Sequence, residues 1–196
     1  MPNNSVKTAI ILAGGKSSRM GVDKAFMELD GKTLLHRQIE KVVKLGVRDI
    51  LISGPKSMRV PVWPVIPDVY PDCGPIGGIH ACLSAASSEA CLVLSVDTPL
   101  VPVEELEKLC NSHMEGFTLL CDKGKAEPLI GVYDSKIVPT LEKMIKEGQY
   151  SVRALSQYFS VQFVPYTGPE EYLCNCNTPE DFQRMLELLK KEENNV

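Results

Sequence analysis

Aromatic residues are scarce in this 196-residue chain, at 6% with a single tryptophan, and there are only three histidines. His36, His80 and His113 are scattered, and no serine–histidine–aspartate logic emerges around them. The seven cysteines (Cys73, Cys82, Cys91, Cys110, Cys121, Cys174 and Cys176) contain no Cys-x-x-Cys pair, so a zinc ribbon and a thioredoxin-like redox motif are unsupported. Most lie in apolar runs and read as small buried hydrophobes, and free thiols suit a reducing, cytoplasmic setting. No apolar run approaches transmembrane length, and Met1-Pro2-Asn3-Asn4-Ser5 is too short and polar for a secretory signal, so no membrane association is expected. A net charge of −4 argues against nucleic-acid binding by the chain as a whole. Any work on anions must then be done by local positive charge.

That local charge is concentrated near the N-terminus, in Leu12-Ala13-Gly14-Gly15-Lys16-Ser17-Ser18-Arg19-Met20-Gly21-Val22-Asp23-Lys24. The segment directly follows Thr8-Ala9-Ile10-Ile11, which reads as a buried strand. Two glycines free the backbone where the strand ends, and three cations (Lys16, Arg19, Lys24) then crowd a short loop. A glycine-rich turn lets amides approach an anion closely, and Arg and Lys add charge that phosphate oxygens accept. The stretch is a candidate triphosphate cradle. It is not a P-loop, because that motif needs glycine where Ile10 stands. Nor is it the dinucleotide fingerprint, because Gly14-Gly15 with Gly21 does not supply Gly-x-Gly-x-x-Gly.

A second chemical signal is Val93-Leu94-Ser95-Val96-Asp97, an apolar run that ends abruptly in a carboxylate before Thr98-Pro99. Magnesium is held by one or two carboxylates together with phosphate oxygens and water, so Asp97 is the candidate metal ligand. The bland alternative is a turn-forming aspartate. Lys24 is placed to sit against an α-phosphate, and Arg19 to fork onto the β- and γ-phosphates, in a transfer where positioning and charge stabilisation dominate. Asp68 follows Val65-Ile66-Pro67, with Asp72 close behind it; Asp68 is preferred because it lies nearer the end of the strand pattern. In Gly74-Pro75-Ile76-Gly77-Gly78 the glycines suit either a close approach to a nucleotide or a helix-entry turn. Asn175 and Asn177 alternate around Cys176, so in an extended segment the two amides share one side. Cys174 and Cys176 without histidine or further cysteine nearby read as buried thiols, not as a metal site.

These segments, taken in order, resemble the nucleotidyltransferases that activate a phosphorylated metabolite with an NTP, and most of all the MobA-type molybdenum cofactor guanylyltransferases. Beyond the first loop, Leu29-Asp30-Gly31-Lys32-Thr33-Leu34 resembles a family run, with Thr33 where proline is usual. Glu127-Pro128-Leu129 and Asn175-Cys176-Asn177-Thr178-Pro179-Glu180 resemble later family elements. The resemblance implies transfer of GMP from GTP to the terminal phosphate of molybdenum-loaded molybdopterin, with Mg²⁺ as cofactor. It implies Arg19, Lys24 and Asp97 as the catalytic groups. Leu12, Ala13, Gly14, Gly15, Lys24, Ser53, Asp68 and Asp97 would bind the nucleotide, with the Leu12–Ala13 backbone and Ser53 reading the base. Asn175 and Asn177 would face the acceptor. Molybdenum-insertion proteins or molybdoenzyme chaperones are the implied protein partners. The alternatives are a transferase using CTP or another phosphorylated acceptor, such as a cobinamide or sugar phosphate, and a non-catalytic nucleotide carrier.

Strands are predicted at Thr8–Leu12, Ile50–Ser53, Val62–Ile66, Cys91–Val96, Thr118–Cys121, Leu129–Val132 and Val161–Val164. Helices are predicted from Leu34 toward Gly46, and over Ile79–Ala86, Glu104–Cys110, Ile137–Ile145 and Val152–Tyr158. A last helix starts at Thr178-Pro179, with Phe182, Met185, Leu186 and Leu189 as its buried stripe and Lys190–Asn195 as a frayed, solvated end. The expectation is one Rossmann-like α/β domain over 1–196, a mainly parallel sheet with helices on both faces. Ligands of such folds bind beyond the carboxyl ends of the strands.

Overall fold

Strands with apolar residues at nearly every position can be covered on both faces, and three such strands build the centre of this fold. In the computed structural model, which describes residues 6–14 and 23–193, β1 (Val6–Leu12) lies between β4 (Asp49–Ser53) and β6 (Ala90–Ser95), parallel to both. The full sheet runs β5-β4-β1-β6-β8-β7-β9, with β5 (Val65–Ile66), β7 (Phe117–Asp122), β8 (Lys125–Asp134) and β9 (Val161–Pro165). Only β8 breaks the parallel order, running antiparallel to both β6 and β7. Alternation along β1 divides the core. Ala9 and Ile11 point into one layer with α1 (Leu34–Lys44), α3 (Val103–Ser112) and α5 (Pro179–Glu193). Ile10 and Leu12 point into the other, with α2 (Pro75–Ala85), α4 (Val138–Lys146) and the 3-10 segment Val152–Gln157. Helices therefore cover both faces, and each fully buried Ile or Leu in these layers contributes about 1.5–3 kcal/mol.

The helix starts follow their sequences. The Thr33 hydroxyl accepts from the His36 amide at 3.1 Å and caps α1, and Thr178 accepts from the Asp181 amide at 3.1 Å ahead of α5. In return the Asp181 carboxylate accepts the Asn177 and Thr178 amides, which pulls its pKa below the usual range. Gly74, at φ 70°, turns the chain into α2, and Pro75 takes the first helical position. That start lies four residues before the expected Ile79.

Other boundaries differ for identifiable reasons. The expected strand Val62–Ile66 survives only as Val65–Ile66, because Val62 adopts φ 76° between Pro61 and Pro64. A small hairpin, β2 (Glu28–Leu29) and β3 (Lys32–Thr33), is an addition to the expected elements. Its turn residues Asp30 and Gly31 both have positive φ, as a two-residue Asp-Gly hairpin turn requires. The expected strand Leu129–Val132 is the second half of a ten-residue β8. Between Leu120↔Glu127 and Leu119↔Gly131 the register slips, so Pro128–Ile130 bulge away from β7. Pro128 brings no N–H to a ladder, and its carbonyl accepts from the buried Tyr133 hydroxyl at 2.5 Å.

Gly131 closes this bulge where the sheet leaves no room for a side chain. A Cβ there would lie 2.6 Å from Leu119 Cδ2 and 2.8 Å from the Thr118 carbonyl. Gly131→Ala is expected to lower stability by about 1–3 kcal/mol, read as a shifted midpoint in urea unfolding. An unchanged midpoint would show that the β7–β8 pair has slack at this position.

Candidate functional site

The order of the central strands creates a crevice. From β1 the chain goes to β4 and β5 on one side, then through α2 to β6 on the other. Loops leaving adjacent strands thus diverge beyond their carboxyl ends, where doubly wound sheets hold ligands. A cleft of about 900 Å³ lies there. It is lined by Leu12, Ala13 and Gly14 after β1, Ser53–Lys56 after β4, Pro67 and Asp68 after β5, and Ser95–Asp97 at the end of β6. Asp23, Lys24, Asp72, the Gly74–Pro75 start of α2, Gly78 and Leu129 complete the wall.

Backbone hydrogen bonds carry the sheet's register on into these loops. The Ala13 amide donates to the Ser53 carbonyl at 3.0 Å, the Gly54 amide to the Ile66 carbonyl at 3.2 Å, and the Val96 amide to the Leu12 carbonyl at 3.2 Å. The strand exits are therefore fixed relative to one another to the point where they meet the cleft.

Lys24 reaches the cleft from a short 3-10 turn, Lys24–Phe26. Asp23 caps that turn by accepting from the Ala25 amide at 3.2 Å, and Ala25 is fully buried. The Lys24 ammonium donates to Asn177 Oδ1 at 2.8 Å and lies 3.4 Å from Asp97 Oδ1. Asp97 is itself tied to Asn177's segment, because the Cys176 amide donates to the Asp97 carbonyl at 2.8 Å. Residues far apart in sequence thus form one row: Asp97, Lys24, Asn177.

Burial raises the pKa of Asp97, and Lys24 partly offsets that rise. Desolvation likewise raises the pKa of Asp68. Burial pushes the Cys176 thiol up to about 11, so it stays protonated at neutral pH and is a poor metal ligand. Among the described residues no three His, Cys, Asp or Glu side chains are grouped as a metal cage. A single carboxylate such as Asp97 is a group that could share a magnesium ion with phosphate oxygens and water.

The glycines at the start of α2 have a definite spatial cause. A Cβ on Gly77 would lie 3.0 Å from the Tyr70 carbonyl and 3.1 Å from Asp68 Oδ2. A Cβ on Gly78 would overlap Ser53 Oγ and lie 3.1 Å from Ser53 Cβ. They permit the exits of β4 and β5 to close onto α2.

Of the residues singled out from sequence, Leu12, Ala13, Gly14, Lys24, Ser53, Asp68 and Asp97 line one cleft. Asn177 joins it through Lys24. Asn175 and Asn177 are both exposed, with Cys176 buried between them. Gly15, Lys16 and Arg19 lie outside the described residues. Asp72 lines the cleft as well as Asp68, so the choice between them does not exclude either from the wall. Lys56, Asp23 and Leu129 line the cleft too and were given no site role from the sequence. Lys56 carried a readable signal, since Ser53-Gly54-Pro55-Lys56 repeats the pattern of strand, glycine and cation seen after β1. Leu129 carried a signal only as part of the family-like run Glu127-Pro128-Leu129, because the bulge that delivers it to the cleft depends on the register of β8 against β7.

Comparison with known proteins agrees with this geometry. The family model described as "MobA-like NTP transferase domain" matches residues 9–162. The chain belongs to this family. Among its curated relatives, a probable molybdenum cofactor guanylyltransferase of Carboxydothermus hydrogenoformans is 31% identical, over 95% of this chain and 98% of that one. A molybdenum cofactor guanylyltransferase of Vibrio atlanticus is 30% identical, over 88% and 91%. The crystal structure of molybdopterin-guanine dinucleotide biosynthesis protein A from Archaeoglobus fulgidus superposes with a TM-score of 0.78 at 25% identity, covering 94% of this chain and 99% of that one.

For an NTP transferase domain the fit between Gly78 and Ser53 bears directly on the cleft. Gly78→Ala displaces the Ser53 hydroxyl and is expected to weaken binding of a nucleoside triphosphate roughly tenfold, measured by fluorescent-analogue titration. Unchanged affinity would mean that Ser53 and the α2 start do not touch the nucleotide.

Proposed function

We propose that this protein transfers GMP from GTP to the terminal phosphate of molybdenum-loaded molybdopterin, releasing pyrophosphate and the guanine dinucleotide form of the cofactor. The observation that carries the reading is the row Asp97–Lys24–Asn177 at the mouth of a cleft formed by four strand exits. The names of the relatives that match over nearly the whole chain point to the same reaction.

In this reading the GTP base and ribose lie between the exits of β1 and β4 and the start of α2. The Ala13 amide and the Leu12 carbonyl are engaged by neighbouring strands. Base reading there accordingly falls to the Ala13 carbonyl and the Ser53 hydroxyl. Asp68 is the candidate ribose or base contact from the β5 exit. Gly14 and Gly15, with Arg19, hold the phosphates. Lys24 neutralises charge that develops around the α-phosphorus, and Asn177 fixes the direction of its ammonium. Asn175, exposed on the same segment, faces the acceptor.

Electrostatics supports a cation in the same place. Among the described residues, the cleft wall presents four carboxylates (Asp23, Asp68, Asp72, Asp97) and two ammonium groups (Lys24, Lys56). A triphosphate entering such a wall needs further positive charge, from the glycine loop and from a divalent ion. Asp97 would hold Mg²⁺. Bound there, the ion supplies Lewis-acid polarisation of phosphoryl oxygens and orients them.

The acceptor oxygen is already anionic. As it forms its bond to the α-phosphorus, the bond from that phosphorus to the bridging oxygen of pyrophosphate breaks and the electron pair leaves with pyrophosphate. No proton has to be removed from the nucleophile, and among the described cleft residues there is no histidine to remove one.

Pyrophosphate release should be measured with each of the four NTPs and Mg²⁺, with and without molybdenum-loaded molybdopterin. Release with GTP only when the pterin is present is the expected result. A preference for CTP would move the protein to the cytidylyl branch, and release with neither would overturn the reading. Asp97→Ala is expected to abolish turnover while circular dichroism stays unchanged; near-normal activity with metal still required would remove Asp97 from the mechanism.

The pH dependence follows from the same pair. Asp97 must be ionised to hold a cation, so activity falls as pH drops through its pKa. Burial raises that pKa and Lys24 lowers it. Lys24→Met is therefore expected to move the acid limb of the kcat profile to higher pH, and to lower kcat more than it raises the KM for GTP. A limb that stays in place would show that Lys24 and Asp97 are not coupled during turnover.

A further inference from the structure

The carboxylate of Asp97 is useful only if its backbone holds still, and the turn carrying it (Ser95–Thr98) sits where a strand gives way to irregular chain. Two of its carbonyls accept from a buried side chain. Gln38, in the middle of α1 and only 1% exposed, reaches across to both. Its Nε2 donates to the Ser95 carbonyl at 2.5 Å and to the Thr98 carbonyl at 3.1 Å. One amide thus bridges the residues on either side of Val96-Asp97.

The chemistry makes this contact directional. A primary amide has two N–H donors, which match two carbonyl acceptors. Turned over, the Gln38 carbonyl would face two other carbonyls and repel both. Holding this orientation leaves Gln38 Oε1 buried with no partner among the described residues, a desolvation cost that packing alone gives no reason to carry. An aliphatic side chain of similar size would avoid that cost, which points to the two carbonyls as what the amide is there to hold. Other struts hold the same turn. The Asp97 amide donates to Ser95 Oγ at 3.2 Å, the Cys176 amide donates to the Asp97 carbonyl, and one helical turn beyond Gln38 the Lys41 ammonium donates to the Pro99 carbonyl at 2.5 Å.

We propose that Gln38 is a positioning residue for the transfer reaction: its amide clamps the Ser95 and Thr98 carbonyls and so sets the Asp97 carboxylate for the divalent cation. This rests on the functional reading above in one respect only, that Asp97 is a metal ligand. Gln38 itself touches neither substrate nor cation.

The test is Gln38→Met in the full-length protein, which keeps length and volume and removes the donors. Three readouts are compared with the wild type: kcat and KM for GTP, the half-saturation concentration of Mn²⁺ binding followed by electron paramagnetic resonance, and the melting temperature. Expected are a kcat lowered about tenfold with the KM for GTP changed less than about twofold, and a Mn²⁺ half-saturation raised about tenfold. Wild-type kcat and Mn²⁺ half-saturation in the variant would overturn the proposal, even if its melting temperature fell, because that pattern is simple packing. Failure of the wild type to bind Mn²⁺ would overturn it too, since the clamp would then have no metal ligand to set. Wild-type Mn²⁺ binding without pyrophosphate release would instead reject the assigned reaction and leave the clamp to be judged on the Mn²⁺ shift.

Gln38→Glu serves as the second variant should Gln38→Met fold poorly. Only a protonated carboxyl can donate to a carbonyl, so the activity of Gln38→Glu relative to wild type is expected to recover as pH is lowered. A ratio independent of pH would count against the clamp.

Discussion

The pairing of β1 with β4 on one side and β6 on the other is the constraint on which the rest of this molecule depends. It makes β1 the strand where the direction of chain travel reverses, and so opens the crevice. It also fixes the exits: the Ala13-to-Ser53 and Val96-to-Leu12 hydrogen bonds extend both ladders past the last strand residues. The cleft floor is in effect the end of the sheet. Its rigidity comes from the core on either side, where Ile10 and Ile11 point to opposite layers and both are fully buried. A mutation that disturbed either layer would reach the site through β1 before it reached any loop.

From that floor, two kinds of support hold the chemical groups. Asp97 is held by backbone and by buried side chains: Gln38 on its flanking carbonyls, Ser95 on its amide and Cys176 on its carbonyl. Lys24 is held at its tip, by Asn177 and Asp97. The difference suits the roles assigned to them. A metal ligand would have to keep its geometry through the reaction, whereas a cation that neutralises charge around the α-phosphorus needs only its ammonium aimed, which the contact with Asn177 does.

The strands near the crevice were legible because their apolar runs are continuous and end at glycine, proline or aspartate. Thr8–Leu12, Ile50–Ser53 and Cys91–Val96 differ from the observed strands by no more than two residues at an end. Asp97 and Asp68 were legible for the same reason, as polar residues standing where an apolar strand stops. What escaped depended on tertiary register or on φ. The bulge at Pro128–Ile130 and the truncation of β5 at Val62 are of this kind. The hairpin at Asp30-Gly31 did carry a local signal, but its two-residue strands are too short to show alternation. Gln38 is the instructive case. In the sequence it is a polar residue beside the apolar stripe of α1, which reads as solvated, and only the crossing of α1 behind the β6 exit shows that it is buried with two carbonyls to satisfy.

Burial of Asp97 also links the cleft's stability to its use. A carboxyl whose pKa is raised on folding binds its proton more tightly in the folded than in the unfolded chain. Stability from that preference is present at low pH and is lost as pH rises from the unfolded value of about 3.9 through the raised folded value. Above that folded value the cleft carries an ionised, partly desolvated carboxylate whose burial Lys24 only partly offsets. In the function proposed here a divalent cation brought in with a nucleotide would reverse the balance, since it would favour the charged form for which burial is costly. The binding energy of such a metal–nucleotide pair would in this sense be coupled to relief of a desolvation cost that the fold itself creates. That coupling gives a physical reason for placing the carboxylate at the end of a fully buried strand, where the surrounding backbone holds it, and not on an exposed loop where it would be stable and unoriented.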